Sequence, residues 1–381
     1  YTSNDLILLP NNHRHPPRRP RHSTATSHHP PPLRLGHRWV DFQGANNWDG
    51  LLDPLHPFLC SEILRYGSFV QAAYTSCDLD PFSPTYATCR FPKHSLLRLS
   101  GLPSSGYRVT RNLFATPSLS RQSSCIGFTA VCHNDAHLAL LGRRDVVISL
   151  RGTVTFLEWL DNLRATLTPS CTPKRDSAQH EPMVERGFWS LFTSPGLDHP
   201  CLRDQIRDEV RCILDKFESG PEISITITGH SLGAALAVLA ADDLKAMLGP
   251  TGPLVTVVSF GGPRVGNASF RRRMEEQGSR VLRIVNTNDI ITKVPGFVDG
   301  TEKDGMGPNW LLSKTGWVYA DIGRELRVCG RRTANVVACH DLGHYLQLVK
   351  QLSDACPTVS REEERGPSRW RGPVFVAGDA F

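Results

Sequence analysis

Long apolar runs are missing from this 381-residue chain. None approaches the ~18 residues that a bilayer-spanning helix requires. Cysteine patterning is missing too. The 11 cysteines are odd in number and scattered, with no C-x-x-C, so neither a disulfide framework nor a zinc site follows. Reduced, mostly buried thiols are the simpler expectation. Internal repeats are absent. Net charge is absent from most of the chain: six of the 43 basic residues lie within residues 6–38, leaving 37 against 37 Asp and Glu elsewhere. A neutral body gives no support to nucleic-acid binding.

Acids are wholly missing from residues 6–38, which hold Arg14, Arg18, Arg19, Arg21, Arg34 and Arg38. The stretch is rich in Pro, His, Ser and Thr, and it has too few apolar residues to bury a core. Arginine without acids, joined to hydroxyl residues, reads as an organelle transit peptide. Its proline content fits a plastid better than a mitochondrion. Six of the 15 histidines (His13, His15, His22, His28, His29 and His37) lie there or at its edge, without ordered ligand spacing. No metal site is expected anywhere.

The rest is long enough for one large domain with a substantial core. Three regions are expected: a leader over 1–38, a folded domain with an N-terminal helical extension over 39–355 and a poorly ordered tail over 356–381. An amphipathic helix is expected over 51–74, then strands near 126–132 and 145–151. A polar loop is expected at 168–182 and helices over 185–193 and 202–217. Further on come strands at 254–260 and 281–286, a helix near 268–277, a strand pair within 315–329 and a last helix from about 340. Strands alternating with helices imply an α/β fold, its central sheet mostly parallel with helices on both faces.

The stretch "ITITGHSLGAALAVLAADDL", residues 225–244, carries the chemistry. A β-branched run ends at Thr228, and Gly229-His230-Ser231-Leu232-Gly233 follows, then an alanine- and leucine-rich helix. A serine on such a strand–turn–helix junction is a nucleophile elbow, with its hydroxyl held clear of the sheet. The helix start aims its positive end at the same spot, and the Leu232 N–H becomes an oxyanion donor. A serine nucleophile needs a base and an orienting carboxylate. Asp289 follows the strand-like 281–285 and would otherwise be read as a turn aspartate. His340 and His344 both stand near the start of the last helix. Thr153, just after the strand 146–150, can supply a second oxyanion N–H. In the following "VTFLEWLDNL", Phe156, Trp159, Leu160 and Leu163 share one helical face, which periodicity alone assigns to a core helix.

The blocks "RRDVVISLRGT", "VERGFWSLFTS", "ITGHSLGAALAVLAADDL", "VVSFGGPRVGN", "VNTNDIITKVPG" and "CHDL" resemble the class 3 lipases, of the plant chloroplast-type phospholipase A1 group. An upstream segment containing "GANNWDGLLDPLHPFLCSEILRYGSFVQAAY" resembles that plant group as well. The resemblance implies an α/β-hydrolase fold and a Ser231–His340–Asp289 triad, with Thr153 and Leu232 as oxyanion hole. It selects His340 over His344, because His340 stands between Cys339 and Asp341-Leu342. It makes 154–163 a lid facing lipid through Phe156, Trp159, Leu160 and Leu163. It implies hydrolysis of membrane acyl lipids at the sn-1 position, peripheral lipid contact, a plastid location and no cofactor. Headgroup and oligomeric state stay open. Two other classes compete: a lipase-like signalling scaffold that dispenses with catalysis, and an esterase for small soluble esters.

Overall fold

Seven strands form the central sheet, and their residues explain why it is buried on both sides. The computed structural model describes residues 35–118, 122–153, 166–170, 181–295, 319–330 and 335–354. Its strands are β1 (Tyr107–Ala115), β2 (Ser124–Cys132), β3 (Arg144–Leu150), β4 (Leu167–Pro169), β5 (Met183–Glu185), β6 (Ile223–His230), β7 (Leu254–Phe260), β8 (Gly266–Asn267), β9 (Arg280–Asn286), β10 (Tyr319–Ala320) and β11 (Arg324–Val328). The main sheet runs in the order β1-β2-β3-β6-β7-β9-β11. The pairs from β3 to β11 are parallel, and β1 and β2 add an antiparallel edge. A second, small antiparallel sheet has the order β10-β8-β5-β4.

The helices used below are α1 (Pro57–Ser76), α2 (Asp135–Leu141), α3 (Arg186–Thr193), α4 (Leu202–Lys216), α5 (Leu232–Leu248), α6 (Ala268–Glu276), α7 (Val336–His340) and α8 (Leu342–Asp354). Alternation along the strands splits the core in two. Val146, Ile148, Ile225, Ile227, Val255 and Val257 face α3, α4, α5 and α6. Val147, Val258, Phe260 and Ile284 face α1 and α8. The alanines of α5, Ala235, Ala237, Ala240 and Ala241, are all buried, which lets this helix lie close against the sheet.

Helix α1 starts at Pro57 rather than at 51. Proline suits a first helical position, and the His56 side chain accepts the Phe58 N–H at 3.2 Å. Ordered chain also reaches back across the expected boundary at 38: Leu35 is buried and Gly36–Arg38 form a 3-10 turn. The strands expected as a pair within 315–329 belong to different sheets. The strand β4 overlaps the start of the expected polar loop, and the last helix is interrupted at Asp341. The segment 154–163, residues 1–34 and the tail 356–381 lie outside the described residues.

Beneath α1, the α1-facing side of β3 and β6 is polar: Asp145, Ser224 and Thr226 point to the helix and are buried. Tyr66 meets them at the centre. Its hydroxyl lies 3.1 Å from Asp145, 2.9 Å from Arg143 and 3.0 Å from Thr226. Arg143, also fully buried, donates to Ser224 at 2.8 Å and to Glu62 at 2.8 Å. Arg65 grips Glu62 through two bonds of 2.9 and 2.7 Å, and reaches Asp145 at 2.9 Å. Each buried charge therefore meets an opposite charge, the condition under which such a network is tolerated. Burial alone would raise the Glu62 carboxyl, but the Arg65 and Arg143 guanidiniums outweigh it and hold it down, at about 2 against an ordinary 4.5. Its stabilising contribution is therefore complete above pH 4.5 and is lost as pH falls towards about 2. The size is on the order of 3 kcal/mol. Urea unfolding followed from pH 4.5 to 2 should show the wild type losing about 3 kcal/mol more than Glu62→Gln. Parallel curves for the two proteins would remove Glu62 from this role.

Candidate active site

The elbow forms because two glycines allow backbone to meet backbone. A Cβ on Gly229 would lie 2.4 Å from the Gly233 carbonyl carbon, and one on Gly233 would lie 2.4 Å from the Leu150 oxygen. Ser231, held between them, has φ 57° and ψ −125°, a region usually left to glycine. Its N–H donates to the Phe260 carbonyl at 3.0 Å, which ties the turn to β7. Leu232 is the first residue of α5, so its N–H has no acceptor within the helix. Ser231 stands clear of the sheet but is only 2% exposed, so its hydroxyl is covered rather than open to solvent. That hydroxyl makes no hydrogen bond to any described residue. Such bonds often tighten only when substrate docks.

Part of the cover is Gly152. A Cβ there would meet the Tyr74 hydroxyl at 2.5 Å, the His230 carbonyl at 3.0 Å and the Ser231 Cβ at 3.0 Å. The chain after β3 thus lies directly on the serine, with Thr153 next along it. Arg151 fixes this segment from behind, donating to the carbonyls of Gly152 at 2.6 Å and Cys125 at 2.9 Å.

Asp289 lies in the loop after β9 and is fully buried. Its Oδ2 pairs with His340 Nδ1 at 2.7 Å and accepts the Tyr345 hydroxyl at 2.7 Å. Its Oδ1 accepts the Ile291 N–H at 2.9 Å. His340 ends α7, whose first turn is capped by Asn335. Asn286 donates to the Cys339 carbonyl at 2.8 Å and steadies the same turn. His344 is elsewhere: its N–H binds the Asp341 side chain at 2.9 Å, and its ring lies by Gly330. The structure thus joins Asp289 to His340 and not to His344.

Three further residues were not singled out from the sequence. Tyr345 braces Asp289, as above. His230, inside the elbow motif, has its Nε2 2.7 Å from the His340 carbonyl and its Nδ1 2.8 Å from the Tyr74 hydroxyl. A carbonyl can only accept, so Nε2 carries the proton and Nδ1 accepts from tyrosine. Burial first, and His340 second, push His230 down to about 3, so it stays neutral. The Tyr74 oxygen in turn accepts the Gly152 N–H at 2.9 Å. One relay therefore runs from the chain over Ser231, through α1 and the elbow, to the backbone of His340. The spacing of Tyr74 at the end of α1 carries no signal of this, because its partners lie 78 and 156 positions away.

A mostly parallel sheet with a strained serine elbow after a central strand, and an Asp–His pair from loops beyond later strands, defines an α/β-hydrolase. The family model for lipase (class 3) matches residues 147–299. The chain is 51% identical over 359 residues to phospholipase A(1) DAD1, chloroplastic, of Arabidopsis thaliana, covering 86% of this chain and 79% of that protein. It is 40% identical to galactolipase DONGLE, chloroplastic, of the same plant, covering 84% and 71% respectively. It is 37% identical to phospholipase A1 EG1, chloroplastic/mitochondrial, of Oryza sativa subsp. indica, covering 86% and 78%. Among solved structures, Lip2 lipase of Yarrowia lipolytica aligns with a TM-score of 0.47 at 20% identity, over 71% of this chain and 78% of that one. The chain belongs to the class 3 lipase family, and it is an acyl-lipid hydrolase.

Tyr74→Phe tests the relay, because it keeps the ring and removes only the oxygen. The Gly152 N–H and the His230 Nδ1 then lose their partner. Turnover should fall about 10-fold, short of the loss of a direct oxyanion donor, with KM little changed. Steady-state kinetics on one ester substrate measures this, and unchanged turnover would leave Tyr74 a packing residue.

Proposed function

We propose that the protein cleaves the sn-1 ester of membrane acyl lipids through an acyl-enzyme on Ser231. The observation that carries this reading is the Asp289–His340 pair at 2.7 Å, with the His340 carbonyl tied to His230, the residue preceding the nucleophile. Ser231 Oγ attacks the acyl carbonyl and passes its proton to His340 Nε2. Asp289 orients the imidazole and balances the charge that develops on it. The N–H groups of Thr153 and Leu232 receive the oxyanion. The tetrahedral intermediate collapses, the His340 proton goes to the leaving lysolipid oxygen, and an acyl-serine remains. Water, activated by the same histidine, then releases the fatty acid.

The relatives named phospholipase A1 and galactolipase support a phospholipid or galactolipid substrate. Their chloroplastic names and the acid-free, arginine-bearing residues 6–38 support a plastid location, with that stretch as transit peptide. The presence of Ser231, Asp289 and His340 together favours hydrolysis over a scaffold role. Ser231→Ala should reduce lipid hydrolysis on the order of 10³-fold or more, because triad members act as a unit. His340→Ala should be as damaging and His344→Ala mild. Rates of the three variants on one lipid, with folding checked by circular dichroism, decide the assignment. An active His340→Ala beside an inactive His344→Ala would reverse it.

The spacing of Phe156, Trp159, Leu160 and Leu163 in the sequence supports a lid that turns an apolar face to lipid. Exposing that face is unfavourable in water and favoured at a bilayer. Phe156→Ser combined with Trp159→Ser should then weaken hydrolysis of vesicles far more than of a soluble short-chain ester. Equal losses on both, with a lower melting temperature, would assign the segment to the core.

A further inference from the structure

Three free thiols gather where α1 ends and β2 begins: Cys77, Cys89 and Cys125. Cys77 and Cys89 are direct partners in an antiparallel bridge. The flanking main-chain bonds run from Asp78 N to Thr88 O at 2.8 Å and from Arg90 N to Ser76 O at 2.7 Å. Bonds on either side, with none between the two residues themselves, mark a non-hydrogen-bonded pair. Side chains at such a pair emerge on the same side of the ribbon, with Cα atoms about 4.5 Å apart. That separation lies within the span of a disulfide.

The third thiol belongs to the strand alongside. Cys125 N donates to the Ala87 carbonyl at 2.7 Å, and its thiol interacts with those of both Cys77 and Cys89. Cys125 and Cys77 are buried, whereas Cys89 is half-buried and gives a reagent access to the group. The neighbouring Cys125 thiol is the main cause that draws Cys89 below its ordinary value, which favours its thiolate. The Arg151 guanidinium lies beside Cys77, so the cluster also has a fixed positive neighbour.

We propose that Cys77 and Cys89 form a reversible redox modification site, closing to a disulfide by exchange with a low-molecular-weight disulfide such as oxidised glutathione. The Cys89 thiolate attacks one glutathione sulfur, forming a mixed disulfide and releasing one glutathione thiolate. Cys77, deprotonated, then attacks Cys89 Sγ and releases the second glutathione. Two cysteine thiols lose two electrons and two protons, and one glutathione disulfide becomes two thiols. The product staples the loop 78–88 to the end of α1. That loop is otherwise held by the Asp78 carboxylate, which accepts from Ser83 at 2.6 Å and Thr85 at 2.7 Å, and it carries Phe82, 96% exposed, near its tip. Its interactions with the Cys77 and Cys89 thiols, and then burial, push the Cys125 thiol far up, so it stays protonated while the other two exchange.

The sequence makes the test direct. Trypsin cuts after Arg65 and Arg90, so Cys77 and Cys89 fall in one peptide, 66–90, while Cys125 falls in another, 122–143. The full chain is incubated with oxidised glutathione, the remaining thiols are alkylated under denaturing conditions, and the digest is weighed. Peptide 66–90 should be lighter by about 2 Da and take no alkyl group, and dithiothreitol should restore two alkylations. The melting temperature should rise by about 5 °C on oxidation, as a closed loop constrains the unfolded chain. Cys89→Ser should retain ester hydrolysis and lose both the mass change and the melting shift. Two alkyl groups on peptide 66–90 after oxidation, glutathione retained on Cys89, or a cross-link to peptide 122–143 would each overturn the proposal. So would a melting shift that persists in Cys89→Ser.

Discussion

The structure depends on one close approach of backbone to backbone, at Gly229, Ser231 and Gly233. A side chain at either glycine would strike main-chain atoms at 2.4 Å, and no rotamer can relieve a clash with a carbonyl. Because both are glycine, β6 can turn into α5 within a few residues, and the serine between them takes a conformation that costs on the order of 1–3 kcal/mol. The surroundings fix that conformation. The Ser231 N–H is taken by Phe260, the helix behind it is buried from Leu232 to Asp242, and Gly152 leaves no room for a Cβ beside the serine's own. The strained Ser231 is thus held by a rigid frame and not by its own preference.

The frame has its own foundation in α1. This helix ends in Tyr74, whose oxygen holds both Gly152 and His230, so any drift of the helix would move two parts of the site at once. An all-apolar interface under α1 would be cheaper to bury, yet it would define the helix position less sharply. Instead Tyr66, Glu62 and Arg65 lock onto Asp145, Arg143 and Thr226 through bonds with fixed directions. A slide of α1 by one residue would strand several buried charges, each costing several kcal/mol. The polar network therefore acts as a register lock for the catalytic end of the helix.

Much of this was legible from local pattern. The elbow, the strand β7 and the helices α3, α4 and α6 all sit within a residue or two of the expected positions, because periodicity, glycines and caps are local signals. The helix α1 was placed several residues early, since the apolar content of 51–56 masked the start signal at Pro57. The strand β1 escaped notice because its burial does not alternate: as an edge strand with two register shifts, it has no clean inner face. The short strands of the second sheet have two or three residues each, too few for any period to show. Among site residues, Ser231 had a motif and Asp289 a position after a strand. The choice of His340 rested on family resemblance alone, and its physical reason is the break at Asp341. That break sets the two histidines on separate helices, so only His340 turns towards Asp289.

His230 shows why a motif can hide a structural role. Between glycine and serine it is simply the variable position of the elbow, yet its ring bridges two elements that the chain brings together only in the fold. Neutrality is essential to that bridge. A protonated ring would have a donor at both nitrogens, and Nδ1 could no longer accept the Tyr74 proton. The phenol would then have to turn away or become the acceptor, and it already accepts from Gly152. Burial keeps His230 neutral, with its value near 3, so the relay persists at any pH well above that. The two rings pack at a tilt, 4.7 Å between centroids, so a charge on His230 would bear directly on His340, and burial keeps that charge away.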